Sequence, residues 1–290
     1  MLYFALFLHF YPPPTPFPKI TKKIAQESYE KILKIIYYQT GGRLTVNISA
    51  SLTEQLEALG LGRIIDGFSV LAEEGRIEFV GSAAYHPLLP RIPRSEMVRQ
   101  IKLNEEINRK YFGPSFAKAT EDKGFFPPEM AYSPEVGEVV EKLGYKWIIL
   151  DESALPGDHT GGENIIYQKK NSNLTVFIRN KKLSLAIAFS QITSVDELFR
   201  FFETEGYSLD EDRPVIAALD GETFGHHQPG QLKFLEEIFE WQMANDKWQM
   251  ATISELFDLF PKGPEIEPKT SSWGESWKRW DNPKNPIHRL

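Results

Sequence analysis

Short apolar runs rich in β-branched residues alternate along this chain with segments of helical periodicity. The runs predicted to be strands cover residues 2–9, 43–48, 77–80, 147–150, 174–178 and 215–219. Helical spacing occurs at residues 24–38 and 95–109, and again in the stripe of Leu232, Leu235 and Phe239. Parallel strands need long crossover connections, which are usually helices, so this alternation predicts an α/β fold with a parallel sheet.

Polar side chains fall at or just beyond the ends of the predicted strands. They are His9, His86, Glu129, Asp151 and Asp220. Barrel enzymes build their sites at this end of the strands, so the pattern favours a barrel over an open sheet. No glycine-rich phosphate-binding loop accompanies these residues. We therefore predict one catalytic barrel domain over residues 1–260.

The segment 124–129, Gly-Phe-Phe-Pro-Pro-Glu, places the Glu129 carboxylate on a stiff loop. Two consecutive prolines fix two φ angles and leave the chain little freedom to lose on ordering. Ser133 then has the character of a helix N-cap, with Pro134 as the first helical residue. We expect the positive end of this helix to help keep Glu129 ionised, which suits a nucleophile.

The second acidic segment is the apolar run 215–219, which ends in Asp220 and opens into a polar loop. Taken singly, an acid at a strand end is usually a cap or a surface ion pair. Two carboxylates on different strands of one barrel are instead what retaining glycoside hydrolysis requires. In that case Asp220 has to be held protonated, by apolar walls and by the charges of Glu129 and Glu222.

The composition narrows the range of partners. The net charge is −7 and there is no long Lys/Arg run, which argues against nucleic acid or an anionic membrane as the partner. There is no cysteine, hence no disulfide and no thiolate metal site. The apolar start has no basic region before it and is interpreted as a strand, and no run reaches the roughly 20 residues of a membrane helix. We predict a cytoplasmic protein; the sequence defines no oligomeric state.

Three long segments resemble motifs of one family, glycoside hydrolase family 57, and the similarity covers most of residues 1–260. Residues 75–90 are similar to its second motif, in which a Tyr-His-Pro sequence lines the sugar site. Residues 124–129 are similar to the third motif, whose Glu is the nucleophile, and residues 220–226 to the fourth, whose Asp is the general acid/base. Residues 176–184 are also similar to a family segment, which implies a supporting role for Arg179.

The resemblance implies site residues, with Glu129 and Asp220 catalytic. The residues it implies for substrate binding are His9, Tyr11, Tyr85, His86, Phe126, Arg179, Glu222 and His226. It also implies an incomplete seven-stranded (β/α) barrel followed by helices that complete the cleft. The substrates would be α-linked glucans or oligosaccharides, turned over with retention and without a metal or cofactor. Hydrolysis, 4-α-glucan transfer and branching all occur in the family.

Two regions depart from the family pattern. The first motif usually has the sequence His-x-His-Gln-Pro, whereas here it is His9-Phe10-Tyr11-Pro12-Pro13, so Tyr11 replaces the second histidine. Tyr11 offers a hydroxyl or a stacking face in its place. The tail, residues 261–290, is rich in Pro and Trp, and it fits either a linker or the truncated start of the helical extension.

Two alternatives stay open. The first is a metal-dependent polysaccharide deacetylase, for which His9, His86, Asp220 and His226 are strand-end ligand candidates. Zinc needs three convergent ligands, and no His-x-x-x-His pair on one helix face is present. The second is a barrel that binds carbohydrate without turnover, which the altered first motif favours and the presence of both acids opposes.

Overall fold

Two five-stranded sheets form the centre of the protein in a computed structural model, which describes residues 1–12, 17–39, 41–113, 116, 124–157, 165–208, 211–244 and 248–274. The first sheet consists of β1 Leu2–Phe10, β2 Leu44–Ile48, β3 Ile77–Phe79, β8 Arg213–Asp220 and β9 Trp248–Met250. Its order is β3-β2-β1-β8, β9 also pairs with β1, and all these pairs are parallel. This confirms the predicted parallel α/β fold.

The second sheet consists of β4 Gly124–Phe125, β5 Trp147–Leu150, β6 Tyr167–Lys169, β7 Thr175–Ile178 and β10 Glu265–Ile266. Its order is β10-β6-β7-β5-β4, with β6 antiparallel to β7. The sequence did not predict β6, β9 or β10, which have two or three residues each. β10 lies in the Pro/Trp-rich tail and pairs with β6, so this part of the tail forms the edge of the second sheet.

Backbone hydrogen bonds connect the two sheets at both edges. Gly81 donates to the Gly124 carbonyl at 2.9 Å, and Phe126 donates to the Gly81 carbonyl at 2.9 Å. At the other edge Asn180 donates to the Ile216 carbonyl at 2.8 Å. These hydrogen bonds do not by themselves establish a closed barrel of seven strands, which stays a prediction.

Ten α-helices among the described residues surround the sheets. They are α1 Pro18–Ile24, α2 Glu30–Tyr38, α3 Ala50–Ala58, α4 Gly62–Glu73, α5 Arg94–Phe112, α6 Pro134–Lys142, α7 Lys181–Ala188, α8 Val195–Thr204, α9 Gln231–Ala244 and α10 Ile253–Leu259. Ser133 caps α6 by accepting from the Val136 N–H at 3.4 Å, which confirms the predicted start of that helix. The helix predicted at residues 24–38 begins earlier and is interrupted by a π-helical turn, Ala25–Tyr29, which sequence periodicity did not indicate.

Alternation along the strands decides which side chains reach the centre. In β1, Leu6 and Leu8 pack toward the outer helices, whereas Ala5 and Phe7 pack between the sheets. The next residue in the inner series is His9, because successive side chains of a strand point to opposite faces. The same count places Asp220 on the inner side of β8, and the register pairs His9 with Asp220.

Gly124 shows how tightly the strand before Glu129 is packed. A Cβ atom at this position would lie 1.9 Å from Trp147 Cζ2, and the Trp147 side chain is fully buried. Gly124→Ala is therefore expected to lower the free energy of unfolding by at least about 1–3 kcal/mol, since the ring has no room to move. Chemical denaturation measures this loss. Gly230→Ala is the matched control, with nothing within 4 Å of its added Cβ, and equal stability of the two variants would contradict the packing argument.

Across the described ranges, none of the helices has both the length and the apolar character needed to cross a membrane.

Candidate active site

The Glu129 carboxylate is held by two aromatic ring nitrogens at the end of the second sheet. His86 Nε2 lies 3.0 Å from Oε1, and the Trp273 indole N–H donates to Oε2 at 2.6 Å. The Glu129 side chain remains 21% exposed, so it is both fixed and accessible. We expected the start of α6 to hold this carboxylate; the structure shows ring donors, one of them from the C-terminal segment.

The backbone at Glu129 has a left-handed conformation, with φ of 60°, and Met130 follows with φ of 47°. This conformation is uncommon outside glycine, and residues held in it concentrate at functional sites. The C-terminal segment stabilises it, because the Ser272 hydroxyl and the Trp273 N–H both donate to the Glu129 carbonyl, at 3.0 and 3.1 Å.

Four aromatic rings line the wall beside Glu129. Tyr11 stacks on His86 with 3.9 Å between ring centroids, and His9 stacks on the same ring at 4.8 Å. Phe126 packs against His9 at 4.6 Å. Four residues implied by the family resemblance thus lie together with the carboxylate. Phe126 and His9 are buried, whereas Tyr11 and His86 are partly exposed.

Burial fixes the protonation of two of these rings. Burial and the neighbouring His86 hold the pKa of His9 well below its usual value, so His9 is neutral. Its Nδ1 lies 2.7 Å from Asn47 Oδ1, which assigns the proton to Nδ1. Burial and the charge of Glu129 raise the pKa of the Tyr11 hydroxyl to about 12, which keeps it a neutral hydrogen-bond donor.

Arg179 supports the site from behind. Its Nε donates to Asp151 Oδ2 at 2.8 Å and its Nη1 to the Ala218 carbonyl at 3.0 Å, and both charged groups are buried. Its guanidinium carbon lies 5.2 Å from the centre of the Trp273 ring. Arg179 therefore contacts the indole that binds Glu129, and the supporting role implied for it stays a prediction.

Asp220 ends β8 and is exposed, so the apolar walls expected around it are not present in the described residues. The buried acid nearby is Glu222, which is 5% exposed and accepts a short hydrogen bond from the Tyr29 hydroxyl. Burial, together with the charge of Asp220, raises the pKa of Glu222 to about 8. A raised pKa is therefore found at Glu222, and the protonation expected of Asp220 stays a prediction.

The two remaining predicted binding residues are engaged elsewhere. The Tyr85 hydroxyl donates to Glu54 at 3.0 Å on the surface, and its backbone N–H donates to Gln100. His226 Nδ1 lies 2.7 Å from a Glu27 carboxylate oxygen. Neither Glu54 nor Glu27 belongs to the group of rings beside Glu129.

Sequence analysis missed two residues that complete this region, Trp273 and Tyr29. Trp273 lies 144 residues beyond Glu129 in a segment without strand or helix periodicity. A glycine next to it, in Ser-Ser-Trp-Gly, was the only local signal of a turn. Tyr29 belongs by its spacing to the predicted helix stripe, and it lies in the π-helical turn, where its hydroxyl donates to Glu222.

The metal-site alternative required converging ligands. Within the described ranges, no group of three or more His, Asp or Glu side chains is arranged to hold a metal ion. The structure pairs His86 with Glu129 and His226 with Glu27. The residues described here therefore give no support to a deacetylase-type metal centre.

A parallel α/β fold that gathers a carboxylate and stacked rings at the carboxyl ends of its strands has the architecture of an α/β enzyme. A family model described as Glycosyl hydrolase family 57 matches residues 11–269. The chain belongs to that family, which confirms the resemblance noted from its motifs.

Similar proteins agree with this assignment. An "Alpha-amylase" of Pyrococcus horikoshii is 26% identical over 266 residues, which are 88% of this chain and 40% of the relative. A solved 4-alpha-glucanotransferase from Thermococcus litoralis superposes with a TM-score of 0.79 at 23% identity, covering 93% of this chain and 42% of that one. A branching enzyme structure from Thermococcus kodakaraensis gives 0.76 at 18% identity, covering 98% and 76%. This chain thus spans about 40% of the length of the curated relative.

Proposed function

We propose that this chain is a retaining α-glucan hydrolase or transglycosidase with Glu129 as nucleophile and Asp220 as general acid/base. Family membership and the names of the similar proteins support glucans or oligosaccharides as the substrate class. The observation that carries the proposal is the Glu129 carboxylate, which the His86 and Trp273 ring nitrogens hold and whose side chain is still 21% exposed.

In the first step a Glu129 oxygen attacks the anomeric carbon and forms a glucosyl ester. The bond from that carbon to the leaving sugar oxygen breaks, its electron pair stays on the oxygen, and Asp220 supplies the proton. The ring N–H donors keep Glu129 in one orientation, so the attack costs little further ordering. Asp220 reaches the same side because it follows the inner series of β8 residues and pairs in register with His9.

In the second step the ionised Asp220 takes a proton from water as the water oxygen attacks the anomeric carbon and the ester bond to Glu129 breaks. A sugar hydroxyl in place of water gives transfer instead of hydrolysis. Tyr11, which stacks on His86 and is partly exposed, is proposed to contact the sugar bound beside Glu129, and the buried rings of His9 and Phe126 support this pair. Tyr11, which replaces the family's second histidine, would contribute its hydroxyl and its ring face there.

Product analysis tests this proposal. The protein is incubated with maltoheptaose and, separately, with glycogen, and the products are separated by chain length. Shorter oligosaccharides indicate hydrolysis, longer ones transfer, and new branch points a branching reaction. Proton NMR of the first products is expected to show the α-anomer, which is the sign of retention. Binding of maltoheptaose without any product would contradict the proposal and favour the non-catalytic carbohydrate-binding barrel.

A further inference from the structure

The chain that leads to Trp273 is bonded to the loops that follow β4 and β5. The Lys269 backbone N–H donates to the Ala154 carbonyl at 2.7 Å. Ser271 and Tyr132 exchange two backbone hydrogen bonds, at 2.9 and 3.2 Å, and form a bridge of the antiparallel type. These loops lie at the carboxyl ends of their strands, so the segment brings its tryptophan to the end of the sheet that carries Glu129.

The Trp273 indole is held in place by groups around its ring. The guanidinium carbon of Arg179 lies 5.2 Å from the ring centre, and Arg179 is itself fixed by a buried ion pair with Asp151. The ring centroids of Phe126 and His9 lie 5.6 and 6.1 Å from that of Trp273. A donor oriented in this way needs little reorganisation when a charge appears beside it, and such preorganised donors are the most effective ones in enzyme sites.

The two ring contacts of the Glu129 carboxylate differ in kind. An indole N–H can only donate, and its distance of 2.6 Å to Oε2 is short for an N–H···O hydrogen bond. His86 Nε2, 3.0 Å from Oε1, donates only when the proton is on that nitrogen. Trp273 is therefore the contact that favours a negative charge on Glu129 whatever the tautomer of His86.

The charge on Glu129 changes during the proposed reaction. It is complete in the free carboxylate and largely retained in the transition states of both steps, because these resemble an oxocarbenium ion to which the carboxylate is only partly bonded. In the glucosyl ester the charge is gone, since the electron pair of one oxygen forms the bond to the anomeric carbon. A hydrogen bond to an ionised acceptor is roughly twice as strong as one to a neutral acceptor. The indole therefore stabilises the ester least.

We propose that Trp273 is a positioning residue that accelerates breakdown of the glucosyl ester. This inference rests on the proposed role of Glu129 as nucleophile. In breakdown the water oxygen bonds to the anomeric carbon, the bond from that carbon to Glu129 breaks, its electron pair returns to the carboxylate, and Asp220 takes the water proton. The indole N–H stabilises the charge that returns to Glu129. It stabilises the free carboxylate and the first transition state about equally, so ester formation depends on it little.

Trp273→Phe tests this role, because it keeps an aromatic ring and removes the N–H. With α-glucosyl fluoride, the burst and the steady phase of fluoride release give the rates of ester formation and breakdown. Breakdown is expected to slow by at least about tenfold, the contribution of a hydrogen bond to a charged group, while formation changes less than about threefold. The kcat and the KM then fall together, and kcat/KM stays nearly constant.

Two further variants separate this effect from a structural one. Ser272→Ala removes the 3.0 Å hydrogen bond to the Glu129 backbone carbonyl, which does not depend on the carboxylate charge, so any loss is expected in both steps alike. Trp241, on α9, packs on Phe199 with 4.2 Å between ring centroids, and Trp241→Phe is expected to leave both rates unchanged. An equal loss of formation and breakdown in Trp273→Phe would overturn the proposal and leave the indole a purely structural role.

A second measurement follows the indole itself. In protein labelled with ¹⁵N-tryptophan, the indole N–H signal that is missing in Trp273→Phe belongs to Trp273. This proton signal is expected to move upfield in Glu129→Gln, and also when a fluorinated α-glucosyl donor traps the ester, because in both cases the acceptor has lost its charge. A signal that stays in place in both would overturn the inference.

The outcomes also distinguish this inference from the proposed function. If the wild type forms no ester with either donor, Glu129 is not the nucleophile and both proposals fail. If the wild type forms an ester and Trp273→Phe slows the two steps by the same factor, only the role proposed for Trp273 fails.

Discussion

Glu129→Gln is expected to reduce kcat by at least about a thousandfold on maltooligosaccharides, as removal of other catalytic nucleophiles does. The amide has nearly the same shape as the carboxylate, and its oxygen still accepts from one of the ring donors. It carries no negative charge and is a poor nucleophile, so no glucosyl ester forms. Binding of maltoheptaose, measured by calorimetry, is expected to change little, because the stacked wall of Tyr11 and His86 remains.

A trapping experiment assigns this loss to chemistry. With a fluorinated α-glucosyl donor, the ester forms faster than water hydrolyses it, so the glucosyl-protein accumulates. Mass spectrometry should then show one added sugar on the wild type, and peptide mapping should place it on the peptide that contains Glu129. The Glu129→Gln variant should gain no mass. Glu106→Gln, on the exposed face of α5, is the control and should behave as the wild type does. Turnover within tenfold of the wild type in Glu129→Gln would remove this residue from the mechanism.

Asp220→Asn is expected to slow turnover of natural glucans by at least about a hundredfold, since general acid/base catalysis contributes about 10²–10⁴-fold. The loss should depend on the leaving group. An α-glucosyl fluoride leaves without needing a proton, so its first step is expected to proceed at nearly the wild-type rate. Added azide, which attacks without a base, should then restore the second step and give the glucosyl azide with retained configuration.

The measurements are a burst of fluoride release and identification of the azide product. Asp66→Asn on the exposed surface of α4 is the matched control and should leave both steps unchanged. An equal loss on glucans and on the fluoride donor, without rescue by azide, would contradict the acid/base role. That result would instead indicate a structural role for the end of β8.

The sequence predicted the parallel strands and the stiff loop that carries Glu129 because both depend on local patterns. Continuous apolar runs define β1 and β8, and Ser133-Pro134 marks a helix start that the structure confirms. The ends of these runs also predicted that His9 and Asp220 lie at the same end of the sheet, and the register of β1 with β8 pairs them. Such signals extend over a few neighbouring residues, so they can be recognised without knowing the fold.

The protonation pattern could not be predicted in the same way. Asp220 and Glu222 are two residues apart and chemically alike, and nothing in their order indicates which one is buried. The outcome depends on a π-helical turn some 190 residues earlier, since Tyr29 and Glu222 are 193 positions apart. Contacts between distant segments set the local environment, and the environment sets the pKa.

The Trp273 contact with Glu129 can form only late in protein synthesis. Glu129 emerges from the ribosome 144 residues before the indole that binds its carboxylate, and a domain of this kind is made at about 5–20 residues per second. For several seconds the nascent chain contains Glu129 but not Ser272 or Trp273. During that time the Glu129 carboxylate lacks the indole donor, and its backbone carbonyl lacks both of its hydrogen bonds. The nascent chain therefore holds the Glu129 loop without its final contacts, and the candidate site is complete only when the segment around Trp273 has docked.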